Sequence, residues 1–182
     1  MKDLKAFTIP FVGLKLGKHP FNFKVRKAFF EHFEYDDFND ANINLDVLLE
    51  KMSTLLDITL TFNGTVNVAC DITNEPYDQQ ISGSYQFVVK FGEEYDDENE
   101  DLLILPHGSY EVNIQQYVFE SLVLAMPSRR IHPGVKDGTL KSDILDKLEE
   151  LSPQGTQNED SPEDDHTDPR WDSLKKLLTD KQ

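Results

Sequence analysis

Residues 56–70 read LDITLTFNGTVNVAC, and the interpretation of this stretch decides the fold. Apolar residues alternate on both sides of Asn63-Gly64: Leu56, Ile58 and Leu60 before it, Val66 and Val68 after it. Alternation with a period of two marks a strand with one buried face, and Asn-Gly between two such runs is a hairpin signal. A two-residue turn would pair Leu60 with Asn67 and Ile58 with Ala69, setting an apolar row against a mostly polar one. A three-residue loop of Phe62, Asn63 and Gly64 pairs Leu60 with Val66, Ile58 with Val68 and Leu56 with Cys70. Gly64 then takes the left-handed position of a bulge. A one-residue slip turns every side chain to the other face, so the apolar match favours the three-residue loop. The expectation is a β-hairpin that turns at residues 62–64.

On the N-terminal side, Ile43, Leu45 and Val47 share one face of a strand over residues 42–51. Two short strands are expected at residues 4–9 and 21–26, separated by Pro10, Gly13, Gly17 and Pro20. On the C-terminal side, Ile81, Tyr85, Phe87, Val89 and Phe91 alternate in a strand with an aromatic face. An acidic run, GEEYDDENED at residues 92–101, precedes a short apolar strand at residues 102–105.

Three helices follow. Asn113 can cap the first, with Gln116 three residues on, and Ile114, Val118, Leu122 and Ala125 stack on one face that Tyr117 and Leu124 widen. Pro127 ends it. The second covers about residues 140–151, with Leu140, Ile144, Leu148 and Leu151 at helical spacing. The third begins at Asp168-Pro169, an N-cap and first helical position, and sets Trp171, Leu174 and Leu178 on one face. A helix of this length is marginal alone in water, so those three residues form a docking face, for this domain or for a partner. Residues 152–167 contain no large apolar residue and read as a disordered acidic linker. The predicted architecture is α+β: an antiparallel, mostly sequential β-sheet or partial barrel, then a packed helix and an acidic, partly disordered C-terminal tail. Its divisions are a domain at residues 1–151, a linker at 152–167 and an amphipathic helix at 168–182.

The 182 residues carry a net charge of −16. A field of that sign repels nucleic acid at long range and favours basic partners. It is uneven: residues 1–27 hold seven bases and one acid, which leaves −22 on the remainder. The first residues carry charges and no long apolar run, and no stretch reaches the roughly 20 apolar residues of a membrane span. A cytoplasmic protein is therefore expected. The lone Cys70 agrees with a reducing compartment.

Structural zinc needs paired Cys and His ligands, whereas one Cys and five scattered His are present. The acidic run lacks the ligand alternation and glycine of a calcium loop. Nothing pairs Cys70 or a serine with a base for nucleophilic catalysis. Neither a metal nor another cofactor is expected. Arg129, Arg130 and His132, between Pro127 and Pro133, form the cationic cluster of most interest. Guanidinium forks suit phosphate contacts, but in so acidic a chain they equally suit neutralising the domain's own carboxylates. Lys24, Arg26 and Lys27 lie among Phe21, Phe23, Phe29, Phe30 and Phe33. Bases interleaved with aromatics suit RNA, although phenylalanines at these spacings more often serve as core.

Four segments carry a resemblance to a known family: ACDITNEPY (residues 69–77), FVVKFGEEYDD (87–97), the helix through MPSRRIHP (114–133) and DPRWDSLKKL (168–177). Together, in this order, they resemble the YceD family, the large ribosomal RNA subunit accumulation proteins, across the chain outside residues 137–167. Many relatives have C-x-x-C where this chain has Cys70 and Thr73, and a Cys-rich stretch where it reads GVKDGTLKSD. A metal site built on those cysteines has no counterpart here. The resemblance implies a non-catalytic factor that supports synthesis, processing or stability of 23S rRNA, with no small-molecule substrate. Its partner would be large-subunit rRNA, a precursor particle or a basic ribosomal protein. The alternatives are an acidic module shielding such a protein and a metal-assisted rRNA-processing nuclease.

Overall fold

The computed structural model describes residues 7–152. The expected linker beyond Ser152 and the helix bearing Trp171, Leu174 and Leu178 lie outside the described residues, as does the start of the strand expected at residues 4–9. The described chain forms a compact unit reaching Asp146 and the first residues, 147–152, of a second.

The stretch that reads as a hairpin is a single strand. β4, Leu55–Ala69, runs straight through Asn63-Gly64 and is paired along its length on both sides. On one side lies β3, Asp40–Lys51, and on the other β5, Pro76–Gly92, both antiparallel to it. Gly64 sits between Ile43 and Ile81. A Cβ there would lie 2.5 Å from the Cα of Ile43, so the glycine serves close approach of two backbones rather than a turn. Leu56, Ile58, Leu60, Phe62, Val66 and Val68 all project into the core, while Thr61 and Asn63 face outward, exposed. Full burial of one such aliphatic side chain contributes roughly 1.5–3 kcal/mol, which makes β4 the central beam of the sheet.

The sheet is open and six-stranded, in the order β2-β3-β4-β5-β7-β6. It is therefore an open sheet, not the partial barrel held as an alternative. β2 is Gly17–Arg26, β6 Asp96–Asn99 and β7 Leu102–Pro106. The one departure from antiparallel order is β7, which runs parallel to β5 because the chain crosses back through β6 at the edge. The acidic run thus contains a strand, all of whose residues are exposed. A separate two-stranded ribbon pairs β1, Thr8–Pro10, with β8, Glu111–Asn113.

One face of the sheet is covered. Helix α1, Lys27–His32, contributes Phe29 and Phe30, and helix α2, Gln115–Leu124, contributes Tyr117, Val118 and Leu122. The Asn113 oxygen accepts the Gln115 N–H at 2.9 Å at the start of α2, but the N-cap itself is Ile114, which makes no side-chain cap bond, and Gln116 reaches Glu120 instead of turning back. Leu124 departs from expectation: it is 82% exposed instead of widening the buried face. The phenylalanines among the N-terminal bases are structural. Phe29 packs against Phe7, Phe30 and Phe33, and Phe33 stacks on Phe119 at 4.3 Å.

After a short turn, α3 (Pro133–Lys136), comes α4, Asp143–Leu151. It starts three residues later than the periodicity suggests, because the Leu140 N–H donates to the Gly134 carbonyl (2.9 Å) and is tied to α3.

Candidate partner interface

Residues 70–75 close a tight loop between β4 and β5. Asn74 takes a positive φ of 57°, a conformation that asparagine tolerates better than most residues. Its N–H donates to the Cys70 carbonyl (2.8 Å), and the Cys70 N–H donates to the Glu75 carbonyl (2.9 Å).

The segment leaving α2 lies along this loop. The Asp71 N–H donates to the Arg130 carbonyl (2.8 Å), and the Arg130 N–H donates to the Asp71 carboxylate (2.6 Å). The Arg130 guanidinium is 3.4 Å from Asp71 and 3.7 Å from Asp37. It is engaged by two carboxylates from separate parts of the chain, with its side chain 31% exposed. The His132 N–H donates to the Cys70 sulfur (3.3 Å), its Nδ1 accepts the Gly134 N–H (2.9 Å), and its ring meets Tyr77 edge-on at 5.5 Å. Gly134 permits this seat, since a Cβ there would lie 3.0 Å from His132 Nδ1.

Cys70 is 2% exposed. Burial opposes its ionisation, yet donors from His132, Thr73 and Ile72 converge on the sulfur and bring the thiol down to about 7. Burial, with the charges of Cys70 and Asp71 behind it, pushes the neighbouring Tyr77 hydroxyl up.

The other sequence-derived candidates lie elsewhere. Arg129 is exposed. Lys24 and Arg26 are exposed on β2, opposite Asn44 and Asn42 of β3, and Lys27 opens α1 at 3.9 Å from Glu31. Arg130 and His132 are thus brought together with Cys70, whereas Lys24, Arg26 and Lys27 form no ion pair or hydrogen bond with them among the described residues. Asp37 and Asp71, the partners of Arg130, were not legible as such. Asp71 stands inside the ACDITNEPY motif, but Asp37 is distant in sequence and reaches Arg130 through the tertiary fold. Among the described residues no three His, Cys, Asp or Glu side chains converge as a metal ion would need.

The loop at residues 70–75, the strand behind it and the segment laid across it all fall within one family match. The family described as large ribosomal RNA subunit accumulation protein YceD matches residues 58–178. The chain belongs to the YceD family. Its name implies a role in accumulation of the large-subunit ribosomal RNA, and this suggests a factor rather than an enzyme. The YceD match takes in Arg129, Arg130, His132 and Asp71 but leaves Lys24, Arg26, Lys27 and Asp37 outside it. No curated protein and no solved structure matches the chain. No helix among the described residues is long and apolar enough to cross a membrane.

Proposed function

We propose that this YceD protein is a non-catalytic accessory factor that sustains 23S rRNA by holding a basic protein partner. The observation that carries this reading is the engagement of Arg130 by Asp37 and Asp71. A guanidinium already paired with two carboxylates of its own chain is a poor phosphate clamp. The net charge of −16 adds long-range repulsion of RNA and attraction of a basic protein. Ribosomal RNA would be sustained indirectly, through delivery or protection of a protein that assembles on it.

The test is the ratio of 23S to 16S rRNA in cells depleted of the protein and then supplied with variants. Depletion is expected to lower 23S selectively, and Arg129→Glu is expected to restore it as wild type does. An unchanged ratio on depletion removes the ribosomal role. A basic protein should co-purify after nuclease treatment, and recovering none would refute the shielding mechanism.

A second reading rests on Lys24 and Arg26, exposed on the outer face of β2 beside a row of asparagines. Direct RNA contact there, with Lys27 and Arg129, predicts binding that falls steeply with salt, because phosphate contacts release counterions. Charge reversal at Lys24 and Arg26 that leaves RNA affinity unchanged would dismiss it. The nuclease alternative is tested by incubating the protein with precursor rRNA and magnesium, where no cleavage is expected.

A further inference from the structure

Between Lys90 and Arg129 the chain holds nine carboxylates and not one lysine or arginine. This cation-free span folds around a groove of about 820 Å³ between α2 and the β5–β6 side of the sheet. Tyr85, Tyr95 and Tyr117, with Phe33 and Phe119, supply its aromatic surface, and Asp97, Glu100 and Glu120 its acidic surface.

The groove contains a polar atom without a partner. Tyr117 is 9% exposed, with its ring stacked on Phe87 at 4.0 Å. Among the described residues, its hydroxyl is the buried side-chain polar atom that makes no hydrogen bond. Buried hydroxyls are ordinarily satisfied, so this orphan, on a residue that lines the groove, points to a donor or acceptor missing beside it. Two of the three acidic side chains around it, Asp97 and Glu120, have partners that position them and leave their charge in place. The Tyr95 hydroxyl donates to Asp97 (2.9 Å), the Tyr85 hydroxyl to the Glu100 carbonyl, and the Gln116 amide to Glu120. Burial, then the neighbouring Tyr95, Tyr85, Asp97 and Glu120, push the Tyr117 hydroxyl up to about 12. The groove therefore resists one more negative charge and favours a positive one. Leu124, 82% exposed, borders it and offers an apolar contact.

We infer that this groove seats an arginine-bearing segment of a basic partner protein. Arginine fits each feature. Its planar guanidinium stacks on tyrosine faces, its N–H groups donate to carboxylates, and one of them can satisfy the Tyr117 oxygen. The apolar stem of the side chain, or a neighbouring aliphatic residue, would cover Leu124. RNA is disfavoured as occupant, because its phosphates would face Asp97, Glu100 and Glu120. This inference rests on the basic-partner reading above and gives it a place on the molecule.

The test uses the full chain and a fluorescein-labelled peptide of four Arg-Gly-Leu repeats, with a Glu-Gly-Leu peptide as control, read by fluorescence anisotropy at two salt concentrations. The arginine peptide is expected to bind and the glutamate peptide not to. Asp97→Asn and Glu120→Gln are each expected to weaken binding about tenfold, and Tyr117→Phe about fivefold with the fold intact by thermal melting. Glu111→Gln, exposed on β8 outside the groove, should change it less than twofold. If the peptide binds and the groove variants bind equally well, the groove is the wrong place while the basic-partner reading survives. If no arginine peptide binds, both fall. Loss of binding to a labelled 23S rRNA fragment in the same variants would make RNA the occupant and overturn the inference. So would loss of self-association by sedimentation, which would make a second copy the occupant.

Discussion

The segment at residues 129–132 and the groove beside α2 are both assembled from charged and aromatic side chains, and they differ in what those groups meet within the chain. Arg130 has two carboxylates, and the backbone around it exchanges hydrogen bonds with the loop at residues 70–75. The groove has three carboxylates and a buried tyrosine hydroxyl, with no lysine or arginine in the span that builds most of it. A cationic cluster is the conspicuous feature in sequence, yet it is largely consumed in holding the fold. The acidic run holds an exposed strand, and its carboxylates beside α2 are the ones we assign to a partner. Charge density in the sequence therefore does not tell which charged groups are paired within the chain and which polar group is left without a partner.

Four variants can break or sharpen this contrast. Arg130→Glu should have the largest effect. It would gather three carboxylates where one guanidinium now pairs with two, and it is expected to lower unfolding free energy by up to about 3 kcal/mol in urea titrations, the exposure of Asp37 and Asp71 screening part of the effect. Its affinity for an arginine peptide should be unchanged. A stable Arg130→Glu protein would mean that the ion pairs are incidental and the arginine is available to a ligand.

Cys70 comes next. Its thiol has a folded value near 7, below the ordinary 9.0. A depressed acid adds stability above its unfolded value and loses it as pH falls through its folded value. Unfolding free energy should thus rise between pH 7 and pH 9, by at most about 2–3 kcal/mol for a thiol lowered from 9.0 to about 7. Cys70→Ala should flatten that slope in chemical denaturation series. An equal slope in the variant would mean that the donors from His132 and Thr73 do not stabilise the thiolate.

Tyr117→Phe is expected to act in opposite directions on two readouts. Removing an unpartnered buried hydroxyl should leave stability unchanged or raise it by about 1 kcal/mol, whereas peptide binding should weaken. A loss of stability would reveal a structural partner for the hydroxyl and remove the reason to see the groove as incomplete. Arg129→Ala should have the smallest effect, within about 0.5 kcal/mol of wild type by thermal melting. A larger loss would place Arg129 in the framework beside Arg130.

Much of the fold was legible, because the sheet has one buried face and burial imposes a period of two. Ile43, Leu45 and Val47 on β3 and Phe87 and Val89 on β5 read correctly on that rule. The error at Asn63-Gly64 has a definite cause. In a three-residue hairpin and in an uninterrupted strand, Leu60 and Val66 fall on the same face, so alternation cannot tell the two apart. Local turn chemistry then favoured the hairpin, and a 15-residue strand is long against the usual five or six. The long flanking strands β3 and β5 overrode it by offering hydrogen bonds to both edges of β4 at once.

The candidate site was legible in a different measure. Arg130 and His132 were named from their type and spacing, and their membership of a structural hub was one of the two readings left open. Asp37 could not be found, since contact across about ninety residues of chain follows no local period. The groove was missed because Tyr117 read correctly as a core residue on the apolar face of α2, and the lack of a partner for its hydroxyl is a property of the assembled neighbourhood. By itself the sequence determined the alternation of β3, β5 and β7, helix α2, the acidic character and the family, since these depend on periodicity, composition and short motifs. Only the tertiary structure decided which charges are neutralised and which polar group is left over, because pairing depends on which distant side chains the sheet brings within hydrogen-bond reach.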